Sequence, residues 1–113
     1  MKETVSLKKN YEFRRLYDKG AKAASPRLVI YCRKNRGGKT RLGLTVGKKT
    51  GKAVVRNRVR RRLREIYRTN ESRLIRGMDI VVVARTAAVS ATFWELEEDF
   101  CRAAVKLGLF SEA

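Results

Sequence analysis

Residues 79–85 read DIVVVAR, and Ile80, Val81, Val82, Val83 and Ala84 leave neither side of an extended strand polar. A run of that kind suits a central strand covered on both faces, so the rest of the chain must supply a layer above it and a layer below. With 113 residues and 43% hydrophobic content there is material for one modest core, and a single domain over 1–113 is expected.

The covering elements are legible around it. Asn10 is positioned to cap a short helix with residues 11–18 as its body and Gly20 as its stop; Phe13, Leu16 and Tyr17 share one face. Ser25-Pro26 breaks that pattern. Residues 27–33 alternate, with Leu28, Ile30 and Cys32 on one side and Val29, Tyr31 and Arg33 on the other. Gly37-Gly38 then predicts a turn into a strand over 41–47, where Leu42, Leu44 and Val46 alternate with Arg41, Gly43 and Thr45, and an antiparallel hairpin is expected. Thr92-x-x-Glu95 is a capping-box pattern ahead of an apolar stripe of Leu96, Phe100, Ala103 and Leu107 that Gly108 ends.

Between the turn and the central strand lies the most heavily charged segment. Residues 48–68, KKTGKAVVRNRVRRRLREIYR, carry ten Lys or Arg against one acid and supply more than half of the net +17. Val55, Val59, Leu63 and Ile66 recur at helical spacing, predicting a helix over 52–69 with one docking stripe. Asn57, Arg61, Arg64 and Arg68 fall opposite that stripe; Arg58 and Arg62 flank it on one side, Arg56 and Arg60 on the other. Solvated helices usually mix signs to form i,i+4 pairs, whereas this one repels itself until phosphates intervene. Lys48, Lys49 and Lys52 crowd the helix start, where cations oppose the dipole unless an anion settles among them. Arg, with its fork of donors, suits phosphate particularly well.

Other chemistry is poorly supplied. GKKTGK at 47–52 has only three residues between its glycines and Ala53 where a phosphate-binding loop needs Ser or Thr, so nucleotide binding is not expected. The chain contains no His, and most acids are scattered singly. Glu95, Glu97, Glu98 and Asp99 do cluster, but acids at a helix start complement its dipole. Neither a catalytic set nor a protein metal site is expected. Cys32 and Cys101 read as two reduced thiols. The N-terminus lacks a signal-peptide pattern and no window approaches a membrane span, so a cytoplasmic location is expected. Tyr17 and Tyr31, with Arg14, Lys19 and Arg33 as neighbours, suit a surface on which single-stranded RNA bases stack, and Phe13 is equally placed for such a surface or for core packing.

Lys48-Lys49, Gly51, Ala53 and Arg56-Asn57-Arg58 followed by Arg60, Arg61 and Arg64 resemble the basic signature of the bacterial ribonuclease P protein component. The opening LKKNYEFRRLYDKG, the strand RLVIYCR, the paired strands and MDIVVVAR fit the same family in order, over nearly the whole chain. The fold expected is a single α+β sandwich, a mixed, mostly antiparallel four-stranded sheet with three helices. The resemblance adds a left-handed βαβ crossover around the basic helix, against the usual right-handed rule.

The resemblance also implies a non-catalytic subunit of a ribonucleoprotein that removes the 5′ leader of precursor tRNA, with hydrolysis performed by the RNA subunit and Mg2+ bound mainly by that RNA. It implies partners in the catalytic RNA and the precursor, with no protein partner required and no membrane. Carried onto this chain, the RNA-facing group is Lys48, Lys49, Lys52, Arg56, Asn57, Arg58, Arg60, Arg61, Arg64 and Arg68. The leader cleft is Phe13, Arg14, Tyr17, Val29 and Tyr31. Charge alone also admits a ribosomal-type RNA-binding module, an architectural DNA-binding protein or, less readily, a membrane-surface helix.

Overall fold

The computed structural model describes residues 4–111. Its central strand is the apolar run: β5, Met78–Ala84, buries Ile80, Val81 and Val82 almost completely. In chain order the other elements are β1 (Thr4–Ser6), α1 (Asn10–Lys19), β2 (Ala21–Ala24), β3 (Leu28–Lys34), β4 (Thr40–Val46), α2 (Ala53–Asn70) and α3 (Phe93–Lys106). The strands form one sheet in the order β1-β4-β5-β3-β2.

Three expectations about the sheet are corrected. It has five strands rather than four, because β1 and β2 are short edge strands whose sequences, TVS and AKAA, carry too little apolar alternation to announce themselves. It is not mostly antiparallel: β2–β3 and β3–β5 are antiparallel, while β1–β4 and β4–β5 are parallel. Nor do β3 and β4 form a hairpin, since β5 lies between them and pairs with both. A strand apolar on both faces is best buried with both edges paired, and the segment around Gly37-Gly38 only has to span two strand spacings, about 10 Å.

Both faces of β5 are covered. On one side α2 and α3 pack Val59, Leu63, Ile66, Tyr67, Leu96 and Phe100 against Leu28, Ile30, Ile80 and Val82. The predicted stripe of α2 is therefore its docking face, with Val55 half-buried at its start and Tyr67 added to it. Tyr67 meets the Phe100 ring edge-on at 6.4 Å and shares a 2.8 Å hydrogen bond with the Thr4 hydroxyl; burial pushes its phenol pKa up to about 12. On the opposite face α1 sets Leu16 with Leu7 and Val81, flanked by Phe13, Tyr31 and Val83.

The caps explain where the helices begin. Thr92 accepts from the Glu95 backbone N–H at 3.1 Å and Glu95 answers the Thr92 N–H at 2.8 Å, the reciprocal pair read from the sequence. At α1 the cap position is Lys9 rather than Asn10. Lysine has no acceptor, and Glu12 alone reaches back to the N–H groups of Lys9 (3.1 Å) and Lys8 (3.4 Å). Gly20 follows the last turn of α1 in extended backbone, and only glycine fits there, since a Cβ would stand 2.6 Å from the Leu16 carbonyl oxygen and 2.9 Å from that of Cys32. The two thiols, Cys32 and Cys101, are both free.

Candidate nucleic-acid interface

Seated by its apolar stripe, α2 turns Asn57, Arg58, Arg61, Arg64 and Arg68 outward. The two flanks diverge. Arg62 leans toward α3 and donates to the Ala91 carbonyl at 2.8 Å, while Arg60 and Arg64 lean toward the β4 edge. Of the outward group, Asn57 accepts from Arg60 at 2.9 Å, and Arg68 is gripped by both oxygens of Glu65 at 3.0 and 2.6 Å. Arg68 is thus the least available member of the basic set. Arg56 is half-buried and its Nε is the one buried side-chain nitrogen or oxygen without a hydrogen-bond partner among the described residues.

The start of α2 is cationic without relief. Lys48 and Lys49 lie exposed in a single 3-10 turn, Lys52 stands at the cap position with no side-chain acceptor, and the first helical turn contains no acid. Gly51 makes the joint at φ 150°, where a side chain would be strained and its Cβ would press within 3.2 Å of Val55. Three lysines thus lie within the five residues 48–52 that lead into an uncapped helix start, an arrangement that favours phosphate.

On the α1 side, register and contacts define the second surface. Phe13 lies on Gly43, close enough that a Cβ at 43 would come 2.5 Å from its ring. Tyr17 bridges across β5: its ring meets Tyr31 of β3 edge-on at 5.0 Å, and its hydroxyl lies 3.2 Å from the Thr45 Oγ1 of β4. Val29 occupies the row Val29–Val83–Thr45. Because β1 pairs with β4 only as far as Leu42, the edge of β4 beyond it stays open. A concavity of about 480 Å³ there is lined by Phe13, Arg14, Tyr17, Leu44 and Arg60, and an adjoining one of about 180 Å³ by Phe13, Gly43, Arg60 and Arg64.

Of the expected cleft, Phe13, Arg14 and Tyr17 line the β4-edge concavities; Tyr31 meets Tyr17 from the sheet, and Val29 stands further along the same strand, opposite Val83, without lining either concavity. Three residues belong with them that sequence reading missed: Gly43, Thr45 and Val83. A glycine inside an alternating strand was the available signal, since it marks close approach by another group.

Two acids read as isolated in the sequence come together on one cation. Arg41 is paired by Glu12 and by Asp79, the latter through Nε at 2.8 Å and Nη2 at 2.6 Å. Burial pushes the Asp79 carboxyl up, but hydrogen bonds from Arg41 and Asn35 outweigh it and hold it below the ordinary range. Glu12 is held low chiefly by the Lys9 backbone N–H, with Arg41 adding to it. Both carboxylates are committed to Arg41, and among the described residues no three His, Cys, Asp or Glu side chains form a metal-sized cluster.

Known proteins are similar to this chain in sequence and share its fold. The family model for ribonuclease P matches residues 1–108. The ribonuclease P protein component of Alkaliphilus oremlandii is 40% identical over 113 residues, covering 100% of this chain and 99% of that one. Among solved structures, the RNase P protein of Staphylococcus aureus superposes with a TM-score of 0.86 at 33% identity, covering 94% of this chain and 97% of the other. That of Thermotoga maritima gives 0.78 at 32%, covering 86% and 92%. In sequence and in fold, then, this chain belongs to the bacterial ribonuclease P protein family.

Proposed function

We propose that the protein is the non-catalytic subunit of a ribonuclease P holoenzyme, an endoribonuclease that removes the 5′ leader of precursor tRNA in the cytoplasm. The observation that supports this most directly is the sharing of Arg60 and Arg64 between two surfaces: both belong to the basic helix, and both line the groove under Phe13. RNA docked on the outer face of α2 and a single strand lying along α1 would meet at those two side chains.

In this reading the catalytic RNA sits on Lys48, Lys49, Lys52, Asn57, Arg58 and Arg61, which screen its phosphates. The leader lies along Phe13, Arg14, Tyr17, Val29 and Tyr31, where aromatic faces stack on bases with little sequence preference. Contact with the leader favours precursor over mature product, which lacks it, and so promotes turnover by differential binding. Mg2+ belongs to the holoenzyme and is held mainly by RNA; hydrolysis is the RNA's chemistry, and no protein side chain enters it. The β4–α2–β5 crossover joins parallel neighbours; the family resemblance implies that it is left-handed, the rare alternative to a rule obeyed in about 98% of cases.

The deciding experiment mixes the protein with a bacterial ribonuclease P RNA and a precursor tRNA at low Mg2+. Correct 5′ cleavage by the mixture, absent from either component alone, is the expected result. Failure to stimulate the RNA overturns the proposal.

A further inference from the structure

The ridge of α1 divides its face of the sheet into two troughs. One is the aromatic surface just described; the other, on the far flank, is built on the row Arg33–Asp79–Arg41. That second trough is a bowl of about 590 Å³ at the end of the sheet remote from the 48–52 turn, and its cations are Arg15, Arg33, Lys34, Arg36, Lys39 and Arg41. We propose that this bowl is a second RNA-binding surface, one that grips the phosphate backbone of an RNA helix independently of α2 and of the aromatic groove.

The charge accounting carries the argument. The nearby acids, Asp79 and Glu12, are both engaged by Arg41, and Asp79 also accepts from Asn35 at 2.9 Å. Among the described residues, no carboxylate stands within ion-pair distance of Arg33, Lys34, Arg36 or Lys39. Six cations therefore line a concavity whose nearby carboxylates, Asp79 and Glu12, offset only two of them and are already held by Arg41, so a net positive charge is left that is unfavourable until an external anion enters.

The site is also held in shape. Asn35 donates to the Lys39 carbonyl at 2.8 Å and accepts the Gly37 N–H at 3.1 Å, while its own N–H donates to the Gly77 carbonyl at 2.8 Å. Gly38 and Gly77, both at φ 77°, pack against each other, with the Gly38 Cα 3.8 Å from where a Gly77 Cβ would stand. A loop so braced presents its cations with less ordering cost on binding. Arg15 is steadied from α1, its guanidinium 5.9 Å from the Tyr11 ring centre.

The lining selects the partner. Among the described residues no apolar side chain lines the bowl, whereas the core of a protein–protein interface is characteristically apolar and aromatic and depleted in charge. Among the described residues no aromatic side chain lines the bowl either, so the contact is to backbone phosphates and is independent of sequence. With α2 on the other layer of the sandwich, the protein can hold two RNA segments at once.

The test uses the full-length protein and a blunt RNA hairpin with no single-stranded extension, so that it is separate from any outcome at the leader groove. In an NMR titration the amides of Gly37 and Gly38 should shift, and should go on shifting in a variant whose α2 face is neutralised by Lys48→Gln, Lys49→Gln, Arg58→Gln and Arg61→Gln. Separately, the variant Arg33→Gln, Lys34→Gln, Arg36→Gln, Lys39→Gln should flatten log K against log salt by about 0.7–0.9 per lost phosphate contact. It should do so with the catalytic RNA, or with precursor tRNA on the assembled holoenzyme, and the arm affected identifies the RNA. Unmoved Gly37 and Gly38 amides, or an unchanged slope in both arms, overturn the proposal. Equal shifts with poly-glutamate overturn its assignment to RNA.

Discussion

Phe13 and Gly43 fit together as ring and vacancy: the aromatic edge occupies the space that any side chain at 43 would claim, 2.5 Å from an ideal Cβ. The position of this groove aromatic is therefore set by an absent side chain on β4. Gly43→Ala should push the ring outward, destabilise the fold by about 1–3 kcal/mol through overpacking, and weaken precursor binding more than binding of mature tRNA. Denaturant unfolding and paired affinity measurements check both parts. Equal weakening for the two RNAs would count against a leader role for Phe13.

Tyr31 offers a cleaner probe, being half-buried on β3 with its ring edge toward Tyr17. Tyr31→Ala should cost about 1–3 kcal/mol in precursor affinity if a base stacks there, with product affinity unchanged. Tyr17→Phe should keep most of the precursor affinity, because it keeps the ring and loses only the bond to Thr45. Equilibrium binding to precursor and mature tRNA distinguishes these outcomes.

The basic residues of α2 should not contribute equally. Arg58→Gln and Arg61→Gln should each flatten the dependence of log K on log salt for the catalytic RNA by roughly one. Arg68→Gln should change it less, since Glu65 already holds that guanidinium and must be displaced before phosphate can bind. A slope loss at Arg68 equal to that at Arg61 would mean the Glu65 pairing is irrelevant to RNA binding.

Acid should loosen the α1 face. Glu12 and Asp79 both titrate below their ordinary values. Depressed carboxylates contribute stability that is present above their unfolded pKa, about 4, and is lost as pH falls through the folded values. Thermal unfolding followed downward from pH 6 should show an acid-side loss that Asp79→Asn reduces, alongside a lower stability at neutral pH. An acid limb of the same size in that variant would remove Asp79 as its source.

Self-repulsion is the remaining prediction. At net +17, the isolated protein should melt at a higher temperature in moderate salt than in low salt, and higher again in phosphate. A flat response would show that the charges are already accommodated in the free fold.

What could be read from the sequence was whatever announced itself locally. The stripe of α2, the Thr92–Glu95 box and the apolar run of β5 all use periodicity or spacing within one segment, and the structure keeps them. Strand order is different, because nothing in residues 35–39 says that a strand arriving about forty positions later will separate β3 from β4. The Arg41 network was equally hidden: Glu12, Arg41 and Asp79 are far apart in sequence and become one group only through the register of β4 with β5 and the placement of α1. In the candidate site, residue types that advertise chemistry were legible, whereas Gly43 acts by lacking a side chain and Val83 by supplying floor.

The pairing of β4 with β5 closes around α2, so the most self-repelling helix in the chain lies within the loop that joins the two central strands. Folding must bring those strands together while that helix resists compaction. Any anion that binds its outer face is thermodynamically a ligand of the native sheet and shifts the equilibrium toward the folded chain. RNA on α2 is in this sense a folding partner, and the protein's lifetime in its absence should be governed by how often β4 and β5 part.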